Sequence, residues 1–167
     1  MNECGMRSII KTGDLLVWNR SYSDSKFWLN LVRFATMSEF GHVSVAIRNV
    51  DGSLWHIEAV QPVIRKIKVP EDASFYILPV SRLIKGNVDP SFFNDKVGKK
   101  YSMMDALRSY FGYVTEDDDR WQCAELSKEF YESMGLVLPM RSVTPSRLVR
   151  SLMDNYHLSL YRAHALG

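Results

Sequence analysis

The sequence predicts an α+β fold, with strands first and helices after. Four runs in the first half are rich in β-branched and aromatic residues: His42–Ile47, Leu54–Val60, Val63–Val69 and Phe75–Val80. The second half turns to helical spacing, with Leu126, Phe130, Tyr131 and Met134 on one stripe and Gly135 behind them as a stop. Strands segregated from helices point to α+β rather than to an alternating α/β chain.

In chain order, Gly13 opens a first strand, Asp14–Trp18. Phe27, Trp28, Leu31, Phe34 and Ala35 then recur at three- and four-residue spacing, a helical pattern with Ser23 and Ser25 as candidate caps. His42–Ile47 and Leu54–Val60 flank Arg48–Ser53, which contains the hairpin signal Asp51-Gly52. Val63–Val69 alternates apolar with basic residues, as a strand wet on one face does. Phe75–Val80 is stopped around Pro79, and Ser91–Val97 fits a short helix. Ser102 with Asp105 three residues on resembles a capping box for a helix to Tyr110. The acidic loop Glu116–Asp119 precedes a helix expected from about Trp121 to Met134. Thr144-Pro145 starts another helix, with Thr as cap and Pro in the first turn. A last strand is expected over His157–Tyr161.

The 167 residues make one domain, with 46% hydrophobic residues to build its core. With 21 basic and 19 acidic side chains the net charge is +2, which gives no broad field for phosphates or anionic lipids and argues against a nucleic-acid binder. The two cysteines, Cys4 and Cys123, cannot make a structural zinc site alone, and His42, His56, His157 and His164 add no metal-ligand spacing. A Cys4–Cys123 bridge stays open, but a reducing compartment is the simpler reading. No stretch approaches the roughly 20 apolar residues of a membrane span. The N-terminus lacks an apolar core of signal-peptide length, so the expected location is cytoplasmic, and a phage or viral origin is compatible.

Cys123 sits in the first turn or so of an amphipathic helix, in the run Arg120-Trp121-Gln122-Cys123-Ala124-Glu125-Leu126. There the positive end of the helix dipole favours thiolate, and the free backbone N–H can face an oxyanion. The competing reading is a buried cysteine acting as a small hydrophobe. The acids Glu116 to Asp119 oppose ionisation if they lie close. A nucleophilic cysteine needs a base, and the base an orienting group. His42 begins a strand after Gly41, which leaves room for a substrate, although a strand histidine is also a common structural residue. Glu58, in an apolar run, must face solvent or be buried and paired, and His56 shares its face as the rival partner for His42. His42 and Glu58 share a face only if opposed residues have an even index sum. A plain two-residue Asp51-Gly52 turn gives an odd sum, so the expected connection has three or five residues, or a bulge.

The order Gly13-Asp14, Gly41-His42-Val43, Ile57-Glu58-Ala59 and then Cys123-Ala124-Glu125-Leu126 on a helix resembles the circularly permuted branch of the NlpC-type papain-like superfamily. Within it the pattern is similar to the YiiX-like group, with the lecithin:retinol acyltransferase-like proteins as cousins. The resemblance covers about residues 12–162 and rests on the order and spacing of the four motifs together. In ordinary papain-like enzymes the cysteine helix precedes the histidine strand; the permuted branch reverses this, as here. The resemblance implies a half-barrel of antiparallel sheet packed against helices, with Cys123 as nucleophile, His42 as general base and Glu58 holding the imidazole. It also implies that Tyr101, in Gly98-Lys99-Lys100-Tyr101, lines the cleft, where a plain core or surface aromatic is the competing reading. Gln122 is a candidate oxyanion donor. Many relatives have Cys-Ser-Glu where this chain has Cys-Ala-Glu, and the Asn-Cys-Glu-His run of the acyltransferase cousins is missing.

The expected activity is hydrolysis of an amide in a peptide or cell-wall peptide through a thioester, with no metal or cofactor. The alternatives are a thioesterase or acyltransferase on lipid-like esters, favoured by an apolar channel built from Trp18, Phe27 and Trp28, or a domain of this fold without chemistry that serves as a binding or virion component. Peptide, peptidoglycan or lipid-like molecules are the expected partners, with neither nucleic acid nor integral membrane association.

Overall fold

The computed structural model describes residues 7–18, 40–60, 63–101, 120–121, 123–140 and 143–163, of which 100, 101, 120 and 121 by backbone alone. The predicted helices around Phe27–Ala35 and Ser102–Tyr110, the acidic loop Glu116–Asp119, Gln122 and Cys4 lie outside these residues.

The architecture is α+β, as the segregated patterns predict. The long apolar runs form β1 (Leu15–Trp18), β2 (His42–Arg48), β3 (Leu54–Val60), β4 (Val63–Lys68) and β5 (Phe75–Leu78). Two-residue strands β6 (Lys100–Tyr101) and β7 (Arg120–Trp121) and the three-residue β8 (Tyr161–Ala163) follow. Among the described residues they form one sheet in the order β7-β6-β4-β3-β2-β1-β5-β8. Its six longer strands pair antiparallel, and only the edge pair β6/β7 is parallel. Helices α1 (Cys123–Ser133) and α2 (Pro145–Tyr156) and two 3₁₀ turns, Val80–Leu83 and Pro90–Phe93, complete the described elements.

Alternation along the strands separates two buried layers. Leu15, Val17, Val43, Val45, Ile57, Ala59 and Ile64 share a core with Leu126, Phe130 and Tyr131 of α1 and Leu148, Val149 and Leu152 of α2. The opposite face carries a smaller core of Leu16, Trp18, Ala46, Leu54, Phe75 and Ile77, closed by Ile10 and Ala163. This explains why β2 is buried along nearly its whole length: it is covered on both sides.

The β2–β3 hairpin has the predicted odd connection. Arg48 pairs with Leu54, so Asn49–Ser53 form a five-residue loop, and Val45 opposite Ile57 keeps the index sum even. Asp51 accepts from the backbone N–H of Ser53 at 2.8 Å, and Gly52 takes φ +80°. The position favours glycine because its backbone is left-handed.

Several boundaries differ from the sequence expectation. β1 begins at Leu15 because the Asp14 backbone N–H turns back to the Lys11 carbonyl at 3.1 Å; the Asp14 carboxylate accepts the N–H of Lys11 at 2.8 Å and of Ser81 at 3.1 Å, pinning the chain ahead of β1 to the turn after β5. Gly13 has φ +92°, and a Cβ there would stand 3.0 Å from Val88, so glycine is needed twice over. The expected helix start at Trp121 is a strand instead, because the backbone of Arg120–Trp121 pairs with Lys100–Tyr101 and the helix opens only at Cys123. The Ser91–Val97 segment is a single 3₁₀ turn, Pro90–Phe93, capped by Asp89. The last strand begins at Tyr161, not His157, because His157 takes the left-handed conformation (φ 53°) that ends α2. Thr144 caps α2 as predicted, accepting from Arg147 N–H, with Pro145 at the first position.

Candidate active site

Helix α1 places Cys123. Its apolar stripe is buried against the sheet, with the Phe130 ring stacked on Phe93 at 4.8 Å between centroids. The Tyr131 hydroxyl donates to the carbonyl of Gly13 at 3.1 Å, and Lys96 reaches Glu129 at 3.2 Å. These contacts fix the axis of the helix, and its first residue is Cys123, a free thiol 8% exposed. The N–H of a first-turn residue has no partner within the helix.

His42 is the first residue of β2, held at the end of the sheet by the backbone: Gly41 N–H donates to Trp18 O at 3.1 Å, and Trp18 is the cross-strand partner of His42. The ladder between β2 and β3 runs from Arg48↔Leu54 to Val45↔Ile57, so His42 and Glu58 lie just beyond its last paired position. Their side chains bridge the two strands there. Nε2 of His42 is 2.9 Å from Oε2 of Glu58. Cys123 lies beside the same imidazole, close enough for its charge to act on the ring, while Nε2 is committed to Glu58.

The three predicted residues therefore meet. Cys123 reaches His42 from the helix that covers one face of the sheet, and Glu58 reaches it from the other face, beside His56. Of the two rival partners, Glu58 bonds His42, and His56 does not. His56 Nδ1 stands 3.8 Å from Glu58 Oε2 and makes no hydrogen bond among the described residues. Its ring packs at 5.3 Å from Trp18.

Burial and charge oppose each other here. Burial works against a charged His42, but the charge of Cys123 and its hydrogen bond, followed by those of Glu58, lift the imidazole to about 10. Burial would raise Glu58, only 1% exposed, yet His42, His56 and Arg65 hold it down at about 2. His56 is driven the other way, to about 4, mainly by burial and further by the charges of His42 and Arg65, against the pull of Glu58. At neutral pH the carboxylate faces one imidazolium and one neutral imidazole. With both nitrogens protonated, His42 donates Nε2–H to Glu58, which removes any ambiguity of tautomer.

Arg65 is the site residue that sequence reasoning missed. It lies directly opposite Glu58 on β4, and its Nε–H donates to Glu58 Oε1 at 2.8 Å. The alternating basic pattern of β4 was visible in the sequence, but the β3–β4 register that selects this one arginine was not. Tyr101 is brought near the site by backbone: it pairs with Trp121, two residues ahead of Cys123. Trp18, named for an apolar channel, is 2% exposed; its indole N–H donates to Ser44 Oγ at 2.9 Å, and its ring packs on Phe75. It belongs to the core rather than to an open cleft, while Phe27 and Trp28 lie outside the described residues.

A cavity of about 420 Å³ opens at the opposite end of β1, between Ser8, Lys11, Asp14, Pro79 and Arg82, and shares no residue with this cluster. Among the described residues no group of three His, Cys, Asp or Glu side chains is arranged to hold a metal ion, and no helix is long and apolar enough to cross a membrane. No family model matches the chain, and no curated protein matches it at a significant level.

Proposed function

We propose that the chain is a cysteine-dependent hydrolase of permuted papain-like (NlpC-type) fold that cleaves an amide bond, with a peptide or cell-wall peptide as substrate class. One observation carries the reading: a buried imidazole with a helix-initiating cysteine close enough to raise its pKa and an ionised glutamate bonded to its Nε2. This is the arrangement that activates a thiol. A structural histidine has no need of both partners.

In the resting site the proton sits on His42, whose pKa is raised to about 10, and in the proposed cycle the Cys123 sulfur beside it attacks as thiolate. The thiolate attacks the carbonyl carbon, a C–S bond forms, and the oxygen becomes an oxyanion beside the backbone N–H of Cys123 at the positive end of α1. The Gln122 amide is the proposed second donor. As the C–N bond breaks, His42 gives its proton to the departing nitrogen, leaving a thioester and a neutral imidazole. His42 then takes a proton from water, whose oxygen attacks the thioester carbon. Collapse releases the acid and the thiolate, and the proton is back on His42. Glu58 holds the ring in place and balances its charge throughout. The buried, hydrogen-bonded position of Trp18 withdraws one of the three side chains offered for an acyl channel, which favours amide over lipid-ester substrates.

The test is alkylation by iodoacetamide in a Cys4→Ala background, which leaves Cys123 the sole thiol. At mildly acidic pH, well below the ordinary thiol value of about 8.5, the parent protein is expected to react at least about tenfold faster than its His42→Ala variant. Equal rates in the two folded proteins sink the proposal.

A further inference from the structure

Glu58 is held by more than the histidine it faces. The Arg65 guanidinium converges on a single oxygen: its Nε–H donates to Oε1 at 2.8 Å, and Nη2 stands 2.8 Å from the same atom as an ion-pair contact. The other oxygen, Oε2, goes to His42 at 2.9 Å, with His56 3.8 Å away. The carboxylate is thus divided, Oε1 to β4 and Oε2 to the imidazole. A carboxylate with one oxygen bonded by Nε and ion-paired with Nη2 cannot rotate freely, so the second oxygen stays aimed. Lysine, a point charge on a flexible stem, supplies the charge without this fork.

The exposure of the two partners fits the same role. Glu58 is sealed at 1%, while the Arg65 side chain is 41% exposed and keeps part of its guanidinium in water. The cation therefore escapes most of the desolvation a fully buried arginine suffers. As a stabilising ion pair alone, such a half-exposed contact is worth little; as a fork that orients a buried carboxylate, it controls where Oε2 points. The titratable groups around Glu58 are His42 from β2, His56 from its own strand and Arg65 from β4, with Cys123 of α1 on the far side of His42.

Resting on the hydrolase reading above, we infer that Arg65 is a positioning residue: by holding Oε1 of Glu58 it fixes Oε2 on the His42 imidazolium and so keeps the Cys123–His42 pair poised. The inference makes a prediction of opposite sign to a plain through-space charge. Removing a cation near His42 makes the imidazole easier to protonate; losing the aimed carboxylate makes it harder.

The experiment follows the His42 ring by NMR across pH, with iodoacetamide rates at neutral pH alongside, all in the Cys4→Ala background. In Arg65→Met, His42 is expected to lose its proton about one pH unit or more below the parent, and alkylation to slow. Arg65→Lys recovers part of both. A purely structural contact moves the urea midpoint and leaves the His42 titration in place. Should Arg65→Met not fold, Arg65→Gln, which keeps a donor and drops the charge, stands in with the same expected direction. An unmoved or raised His42 titration in the folded variant, with His42→Ala still slow to alkylate, overturns the role of Arg65 and leaves the hydrolase reading intact. If His42→Ala reacts as fast as the parent, the hydrolase reading fails, and this inference with it.

Discussion

His42 keeps its proton although it is 5% exposed, because the two groups it touches outweigh the cost of burying the charge. Replacing one of them measures the balance. Glu58→Gln keeps a hydrogen-bond acceptor and removes the charge, so the His42 titration is expected to fall well below about 10, read by NMR, and alkylation of Cys123 to slow. The same shifts set the pH dependence of stability. His42 is raised from 6.5 to about 10, so its contribution is complete below pH 6.5 and is lost as pH climbs through 10. Glu58 is lowered from 4.5 to about 2, so its contribution is present above pH 4.5 and is lost as pH falls through 2. His56 is lowered from 6.5 to about 4: between these values the unfolded chain binds a proton that the native site refuses, and stability falls with pH. That difference amounts to about 3 kcal/mol in order of magnitude. Urea unfolding is expected to show greatest stability near pH 6.5, and in His56→Phe, which keeps a ring against Trp18, the decline between pH 6.5 and 4 is expected to flatten. A decline as steep as in the parent contradicts the neutral, buried state of His56. At this scale Cys123, His42 and Glu58 were legible because residue type and neighbours declare chemistry: a thiol at a helix start, a histidine after glycine, an acid inside an apolar run. Arg65 was not, because its neighbours Lys66 and Lys68 carry the same charge, and only the register puts one cation opposite Glu58.

The elements divide into those that carry the site and those that only support the core. Helix α2 is of the second kind. Its cap, Thr144, accepts from Arg147 N–H, so Thr144→Ala is expected to lower stability by about 1 kcal/mol while leaving the alkylation rate of Cys123 unchanged. A change in that rate would tie α2 to the site. Element types were readable from periodicity, since α1 buries its apolar stripe and β1 and β2 are buried on both faces for nearly their whole length. Boundaries were less so. The start of α1 slipped by two residues because Arg120–Trp121 find a strand partner in Lys100–Tyr101, and nothing local announces a partner twenty positions earlier in the chain. The end of α2 was hidden for a different reason: His157 adopts a left-handed backbone that the sequence would lead one to expect of glycine.

For the whole molecule, the site exists because three distant stretches converge at one end of a single sheet. His42 and Glu58 come from a hairpin with a five-residue connection, and Cys123 arrives on a helix that lies across the sheet. His42 and Glu58 share a face only across an odd-length loop, and the β2–β3 connection has five residues. The α+β class, the order of the strands along the chain and the types of the three site residues were legible along the chain, because composition, periodicity and turn chemistry are local properties. That Cys123 and Glu58 flank the same imidazole, that Glu58 and not His56 bonds it, and that Arg65 takes the remaining oxygen emerged only from the folded chain. Those are matters of strand register and helix docking, set by how two buried layers pack against one sheet, and no window along the chain contains them.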